Sequence, residues 1–162
     1  MATKRARFQV ALDLWSTQMV ALRVVQQSGV IPYRFSGDTL EVLLVTNRSR
    51  SRWLVPKGHL EPCMLPVESA LMEAYEEAGV LGMVEEQPIG SFAYLNGTVE
   101  RRVELYPMRV TEVLPEWPEM TERSRQWTTA DRAAGMVFQP DLERCILDLA
   151  GRLDFDWVSA AA

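Results

Sequence analysis

Within the stretch from Pro56 to Val80, PKGHLEPCMLPVESALMEAYEEAGV, the glutamates Glu73, Glu76 and Glu77 recur at i, i+3 and i+4. At about 100° per residue this spacing gathers the three side chains on one narrow face of a helix. Val67, Leu71, Ala74, Tyr75 and Ala78 fall on the opposite side, so the helix can anchor in a core while presenting an acidic stripe. Like charges at this spacing destabilise a helix. Either bulk solvent relieves the repulsion, or a bound divalent cation such as Mg²⁺ does so by taking the carboxylate oxygens as ligands. The Pro56-Lys57-Gly58 turn before the helix and the Ala78-Gly79-Val80 stop after it favour the metal site. Pro66 suits the first helical turn, where its missing N–H costs nothing.

A chain of 162 residues, 48% of them hydrophobic, fills one domain and is too short for two comfortable ones. The net charge of −5 argues against general attraction to nucleic-acid backbones or anionic membranes, so a polyanionic ligand must meet a local basic cluster. No run reaches the roughly 18 apolar residues of a membrane span. Cys63 and Cys145 lack partners at zinc-type spacing and read as reduced thiols in a cytoplasmic protein. Lys4, Arg5 and Arg7 precede a short apolar stretch, but Asp13 interrupts it, which favours a flexible arm or edge strand over a signal sequence.

Met19–Gln27 and Thr39–Thr46 are rich in β-branched residues and flank a Ser36-Gly37-Asp38 turn signal, which predicts two antiparallel strands. Ile89–Leu95 and Thr98–Val110 flank Asn96-Gly97, a hairpin signal because both residues tolerate positive φ. Thr111–Glu122, with Pro115, Pro118 and several acids, reads as a loop over the site region. Arg125–Thr128 is a candidate strand; Ala130–Met136 and Asp141–Arg152 are candidate helices. The expected division is an arm at 1–18, a domain at 19–153 and a fraying tail at 154–162. Strands, a central helix, more strands and terminal helices predict an α+β protein, with a mixed β-sheet held between helices in an α/β/α sandwich.

The helical segment resembles the Nudix box. That pattern is Gly, five residues, Glu, seven residues, Arg-Glu, an aliphatic, any residue, Glu-Glu, any residue, Gly and an aliphatic. Gly58, Glu73, Ala74, Glu76, Glu77, Gly79 and Val80 match in register, while Met64 and Met72 replace the family glutamate and arginine. Removing one member of a buried ion pair costs about 3–5 kcal/mol, whereas replacing both with apolar groups is often neutral. A paired loss would therefore keep the fold and remove a brace near Glu76. Restoring Met64→Glu and Met72→Arg together should raise turnover, and an unchanged rate would count against this account.

The resemblance implies a Nudix-type α/β/α sandwich and a hydrolase that holds Mg²⁺ or Mn²⁺ against a diphosphate. It implies Glu73, Glu77 and the Lys57 carbonyl as metal ligands, and Glu76 as general base or further ligand, with the choice of base among the three glutamates open. Carboxylates suit this chemistry because they are hard oxygen donors, and a bound metal lowers the pKa of an attacking water.

Basic residues cluster at Arg48, Arg50 and Arg52, at Arg101 and Arg102, and at Arg123 and Arg125. Guanidinium groups grip phosphate bidentately, and the alternative for each of these is a solvated surface charge paired with an acid. The arginines, with Trp53-Leu54-Val55-Pro56 and Trp127, are similar to the diphosphoinositol polyphosphate phosphohydrolase branch. That similarity implies phosphate contacts from Arg48, Arg102, Arg123 and Arg125, with Arg50 beside them. Pro56-Lys57-Gly58-His59 is similar to diadenosine polyphosphate hydrolases, and His59 reads as structural or substrate-orienting. Trp53 and Tyr94 would stack on a base or pack in the core.

The expected partner is a polyphosphorylated small molecule, with no membrane or nucleic acid, and nothing in the pattern opposes a homodimer. The second reading is a weakly active or inactive module of the same fold that binds a nucleotide or inositol polyphosphate.

Overall fold

The computed structural model describes residues 23–160, with side chains for 23–154. The arm at 1–18 and the first four residues of the strand expected from Met19 lie outside the described residues. In chain order the elements are β1 (Arg23–Ser36), β2 (Thr39–Thr46), β3 (Trp53–Leu54), β4 (Lys57–His59), α1 (Pro66–Ala78), β5 (Val80–Val84), β6 (Gly90–Asn96), β7 (Val99–Val113), β8 (Arg125–Thr129), α2 (Ala130–Met136) and α3 (Pro140–Ala160). The last helix crosses the boundary drawn at residue 153 and continues through the segment expected to fray.

One mixed sheet carries the fold. Its spine runs β3-β2-β1-β7-β5, with β4 on β1, β6 on β7 and β8 on β2. β1 and β7 lie parallel from Arg23 opposite Val99 to Tyr33 opposite Arg109, and the other pairings are antiparallel. Period-two alternation sends successive side chains to opposite faces. Val42 and Leu44 of β2, with Val103 and Leu105 of β7, pack under Ala133, Leu142, Ile146 and Leu149 of the two C-terminal helices. Leu43 and Val45, with Tyr106 and Met108, pack under Ala70, Ala74 and Ala78 of α1. Two apolar layers thus enclose the sheet, as the expected sandwich requires.

The first expected strand was drawn too short. β1 continues through Ser28, Gly29 and Pro32, and the residues that pair with β2 are Tyr33–Ser36, not those before Gln27. Pro32 is tolerated because β4 covers β1 only at Gln27–Gly29 and β2 begins at Tyr33, so its missing N–H falls between two partner segments. Pro107 sits likewise in β7, between the stretches paired with β6 and with β5.

The β6–β7 hairpin forms as expected but is shifted by one residue. Asn96 pairs with Val99, so the two-residue loop is Gly97-Thr98 and Gly97 alone takes the positive φ, 62°. β5 was not anticipated. It follows α1 directly and adds the edge beyond β7, so Gly79 is both helix stop and strand start.

Candidate active site

α1 is set by its ends. The Leu65 N–H donates to the Glu68 carboxylate at 2.7 Å, Pro66 opens the first turn, and Gly79 closes the helix with a left-handed φ of 61°. Arg125 completes the stop. Its guanidinium donates to the carbonyls of Ala78 (2.6 Å), Gly79 (3.2 Å) and Leu114 (2.7 Å) and lies 3.9 Å over the Trp117 ring. Cations are favourable at a helix C-terminus, so Arg125 is a capping residue here, with its donors on backbone carbonyls.

The acidic stripe is not uniform. Glu77 is only 4% exposed, because it lies at the margin of the Ala70–Ala74–Ala78 face and not opposite it. One of its oxygens accepts the Lys57 N–H at 3.0 Å and the other pairs with Arg123. Burial pushes the Glu77 carboxyl up, while Arg123 and the Lys57 N–H pull against it.

Glu73 rests on Gly58, where a Cβ would stand 1.6 Å from its Oε1. Burial, then the charges of Glu77, Glu76 and Glu119, push the Glu73 carboxyl up to about 7. Gly58→Ala should therefore drive that carboxylate out of place and lower phosphate release on the order of 100-fold, a loss that steady-state kinetics would measure.

In metal-free protein the raised Glu73 carboxyl gives a signed pH dependence. The unfolded chain gives up this proton near 4.5 and the folded chain near 7, so between those values the folded state holds the extra proton. Stability should then fall as pH rises from roughly 5 to 7, and Glu73→Gln should flatten that slope. Thermal melts in EDTA across this range check it, and an unaltered slope in the variant would sink it.

Glu119 is a fourth acid at the site that sequence reasoning passed over. Its backbone N–H donates to the Glu76 carbonyl at 3.0 Å, holding the 114–124 loop over the end of α1. Burial acts to raise its carboxyl, yet hydrogen bonds from Arg123 and Arg48 keep it below the usual carboxylate range. The signal available was only that an acid-rich loop follows β7, and its register against α1 is a long-range contact.

The nominated basic residues separate into two groups. Arg123 is 10% exposed and joins Glu77, Glu119 (2.5 Å) and the Thr46 carbonyl (2.9 Å). Arg48 pairs with Glu119 at 2.6 Å and with Glu122 at 2.9 Å. Both line a cleft of about 310 Å³ together with Lys57, Arg52, Asn47 and Tyr94. Arg50, Arg102 and Arg125 are not brought there. Arg50 donates to the Thr121 carbonyl at 2.7 Å. Arg102 pairs with Glu100 at 2.5 Å and borders a different groove beside Gln26 and Pro66. His59 accepts a hydrogen bond from Arg101 at 2.9 Å, a residue not nominated. Trp53 and Tyr94 both pack against the core, Tyr94 stacked on Phe92 with ring centroids 6.0 Å apart.

Met72 is 41% exposed, so a family arginine there would make a pair of the surface kind, worth about 0–1 kcal/mol, and not a buried one. The cost of stranding a buried charge therefore does not arise at this position. The expectation that restoring both residues raises turnover then rests on positioning alone.

The chemistry of the acids fits a divalent cation. Four carboxylates with hard oxygens lie within mutual influence, and Glu73 is lifted by burial and then by the charges of Glu77, Glu76 and Glu119, with Lys57 pulling the other way. As placed, no three His, Cys, Asp or Glu groups among the described residues form a ready coordination set, and Arg123 is the cation that Glu77 meets.

No family model matches the chain. Among curated proteins, it is 37% identical over 140 residues to Nudix hydrolase 12, mitochondrial, of Arabidopsis thaliana, covering 74% of this chain and 69% of that one. The chain belongs to the Nudix hydrolase family. A diphosphoinositol polyphosphate phosphohydrolase 3-beta of Bos taurus is 38% identical over 96 residues, 57% of either chain. This Nudix hydrolase thus spans between 57% and 69% of the length of these two relatives. In three dimensions it is similar to a C. elegans Ap4A hydrolase in a binary complex, with a TM-score of 0.70, 18% identity, and coverage of 80% of this chain and 98% of that one. That likeness is one of fold.

Proposed function

We propose that this Nudix hydrolase cleaves a phosphoanhydride in a polyphosphorylated small molecule with the help of Mg²⁺ or Mn²⁺. The observation that supports it most is Arg123, which ties the acids of α1 to the wall of a cationic cleft. Glu73, Glu77 and the Lys57 carbonyl would hold the metal. Glu77 keeps lone pairs beyond those used by Lys57 and Arg123. When bound, the metal neutralises charge on the diphosphate and acidifies water. Lys57, Arg48 and Arg123 orient the phosphates, and Glu76, half-buried on the outer side of the stripe, accepts the proton from the attacking water.

Diphosphoinositol polyphosphates and dinucleoside polyphosphates both meet these demands. The second class is favoured by a recess of about 520 Å³ next to the cleft, where Phe138 is 74% exposed with the Arg52 guanidinium 5.1 Å over its ring. An aromatic ring with a free face suits a base and offers nothing to an inositol. Phosphate release from a diphosphoinositol polyphosphate, diadenosine tetraphosphate, ADP-ribose and an oxidised nucleoside triphosphate, each with Mg²⁺ or Mn²⁺, tests the proposal. Turnover of either of the first two supports it. Tight binding without release would support the non-catalytic module instead.

A further inference from the structure

The two guanidiniums that line the cleft are already engaged. Arg123 directs Nε to Glu119 at 2.5 Å and Nη2 to Glu77, while Nη1 donates to the Thr46 carbonyl at 2.9 Å. Arg48 directs Nη2 to Glu119 at 2.6 Å and Nε to Glu122 at 2.9 Å. On each guanidinium the bidentate edge formed by Nε and Nη2 is thus filled by carboxylates of the protein. A phosphate gripped on that edge must displace one of them.

One acid joins the two arginines. Glu119 offers Oε1 to Arg48 and Oε2 to Arg123, so a single carboxylate spans both guanidiniums as two oxygens of a phosphate would. Its place is set by the backbone. The Glu119 N–H donates to the Glu76 carbonyl at 3.0 Å, and the Glu119 carbonyl accepts the Arg123 N–H at 3.0 Å, which closes one helical turn and sets the two side chains side by side. Trp117, against Gly79 and under the Arg125 guanidinium, anchors the same loop to the end of α1. The Arg48 side chain is 67% exposed and its pairs yield readily, whereas those of Glu119 and Arg123 are 17% and 10% exposed.

We propose that Glu119 is an autoinhibitory residue of the cleft, an internal competitor for the substrate's phosphates whose carboxylate holds Arg48 and Arg123 until a ligand with several phosphate groups displaces it. A tethered carboxylate competes at an effective concentration on the order of millimolar or higher. A single phosphate has too few contacts to meet that competition. A chain of phosphates gains further contacts along the cleft and does so. Cleavage divides those phosphates between two products, each with fewer contacts, so the carboxylate closes on the arginines again and favours release. The inference rests on the polyphosphate reading and adds the means by which that cleft rejects weaker anions.

Calorimetry of the full chain in EDTA, with inorganic phosphate and separately inorganic tripolyphosphate as probes, gives a test in which losing an interaction improves binding. Glu119→Gln keeps the shape of the side chain and gives up its charge, so it should tighten both probes about 10-fold. Glu119→Asp should stay near the parent. Glu116→Gln makes the same change of net charge at an exposed acid of the same loop and should stay within about 2-fold. On whichever substrate is turned over, inhibition by inorganic phosphate should strengthen about 10-fold in Glu119→Gln and not in Glu116→Gln, a change that a merely structural role would not produce.

If Glu119→Gln does not fold, Glu122→Gln carries the test, with an expected tightening of about 3-fold because it frees only Nε of Arg48. Unchanged or weaker binding by Glu119→Gln, or equal tightening by Glu116→Gln, overturns the proposal and leaves the polyphosphate reading standing. Failure of both the parent and Glu119→Gln to bind tripolyphosphate overturns that reading itself.

Discussion

Arg123→Ala should destabilise the protein by about 3–5 kcal/mol, read as a lowered urea midpoint at unchanged slope. The reason is what the guanidinium leaves behind. Arg123 is 10% exposed and engages Glu77, itself nearly buried, together with Glu119 and the Thr46 carbonyl. Its removal strands carboxylates in a low-dielectric setting where water cannot replace the lost partner. The companion experiment removes the charge from both sides of the Glu77 pair. Glu77→Leu with Arg123→Met should recover much of the stability, because two apolar groups leave less charge stranded. A single variant as stable as the parent would show that the pair contributes nothing to the fold.

Glu76→Gln should cut phosphate release about 100- to 10,000-fold while the melting temperature stays close to that of the parent. Glu76 is half-buried and lies outside the buried face of α1, so its amide analogue fits without a cavity or a stranded charge. The amide cannot accept a proton from water, so the loss falls on kcat. Circular dichroism melts and single-turnover assays together check both halves. A variant that hydrolyses at the parent rate would remove Glu76 from the chemistry and shift the role of base to another of the acids, with Glu119 the first candidate.

Much of the architecture follows from local pattern. The acidic box helix, the β6–β7 hairpin, β2, β8 and α2 are each specified by residues near in sequence, through helical spacing, alternation and turn chemistry. The strands that local pattern missed are those whose partners are distant. β1 runs past Pro32 only because β7 lies parallel along it and Pro32 falls between β4 and β2. β5 exists because β7 offers an edge to pair with.

The same division holds at the site. Glu73, Glu76, Glu77 and Gly58 could be named from spacing and resemblance, since one helix and the turn before it set their relation. The arginines could not be sorted that way, because every guanidinium carries the same charge and the same donors. Arg125 became a helix cap because Ala78, Gly79 and Leu114 present carbonyls to it, and Arg102 turned from the cleft because strand alternation placed it on the face with Glu100. Arg101, one residue earlier, took the face with His59 and Tyr94. Spacing along one helix is a property of neighbours in the chain, whereas the partner of a long charged side chain depends on which distant backbone and acid the folded sheet brings within reach.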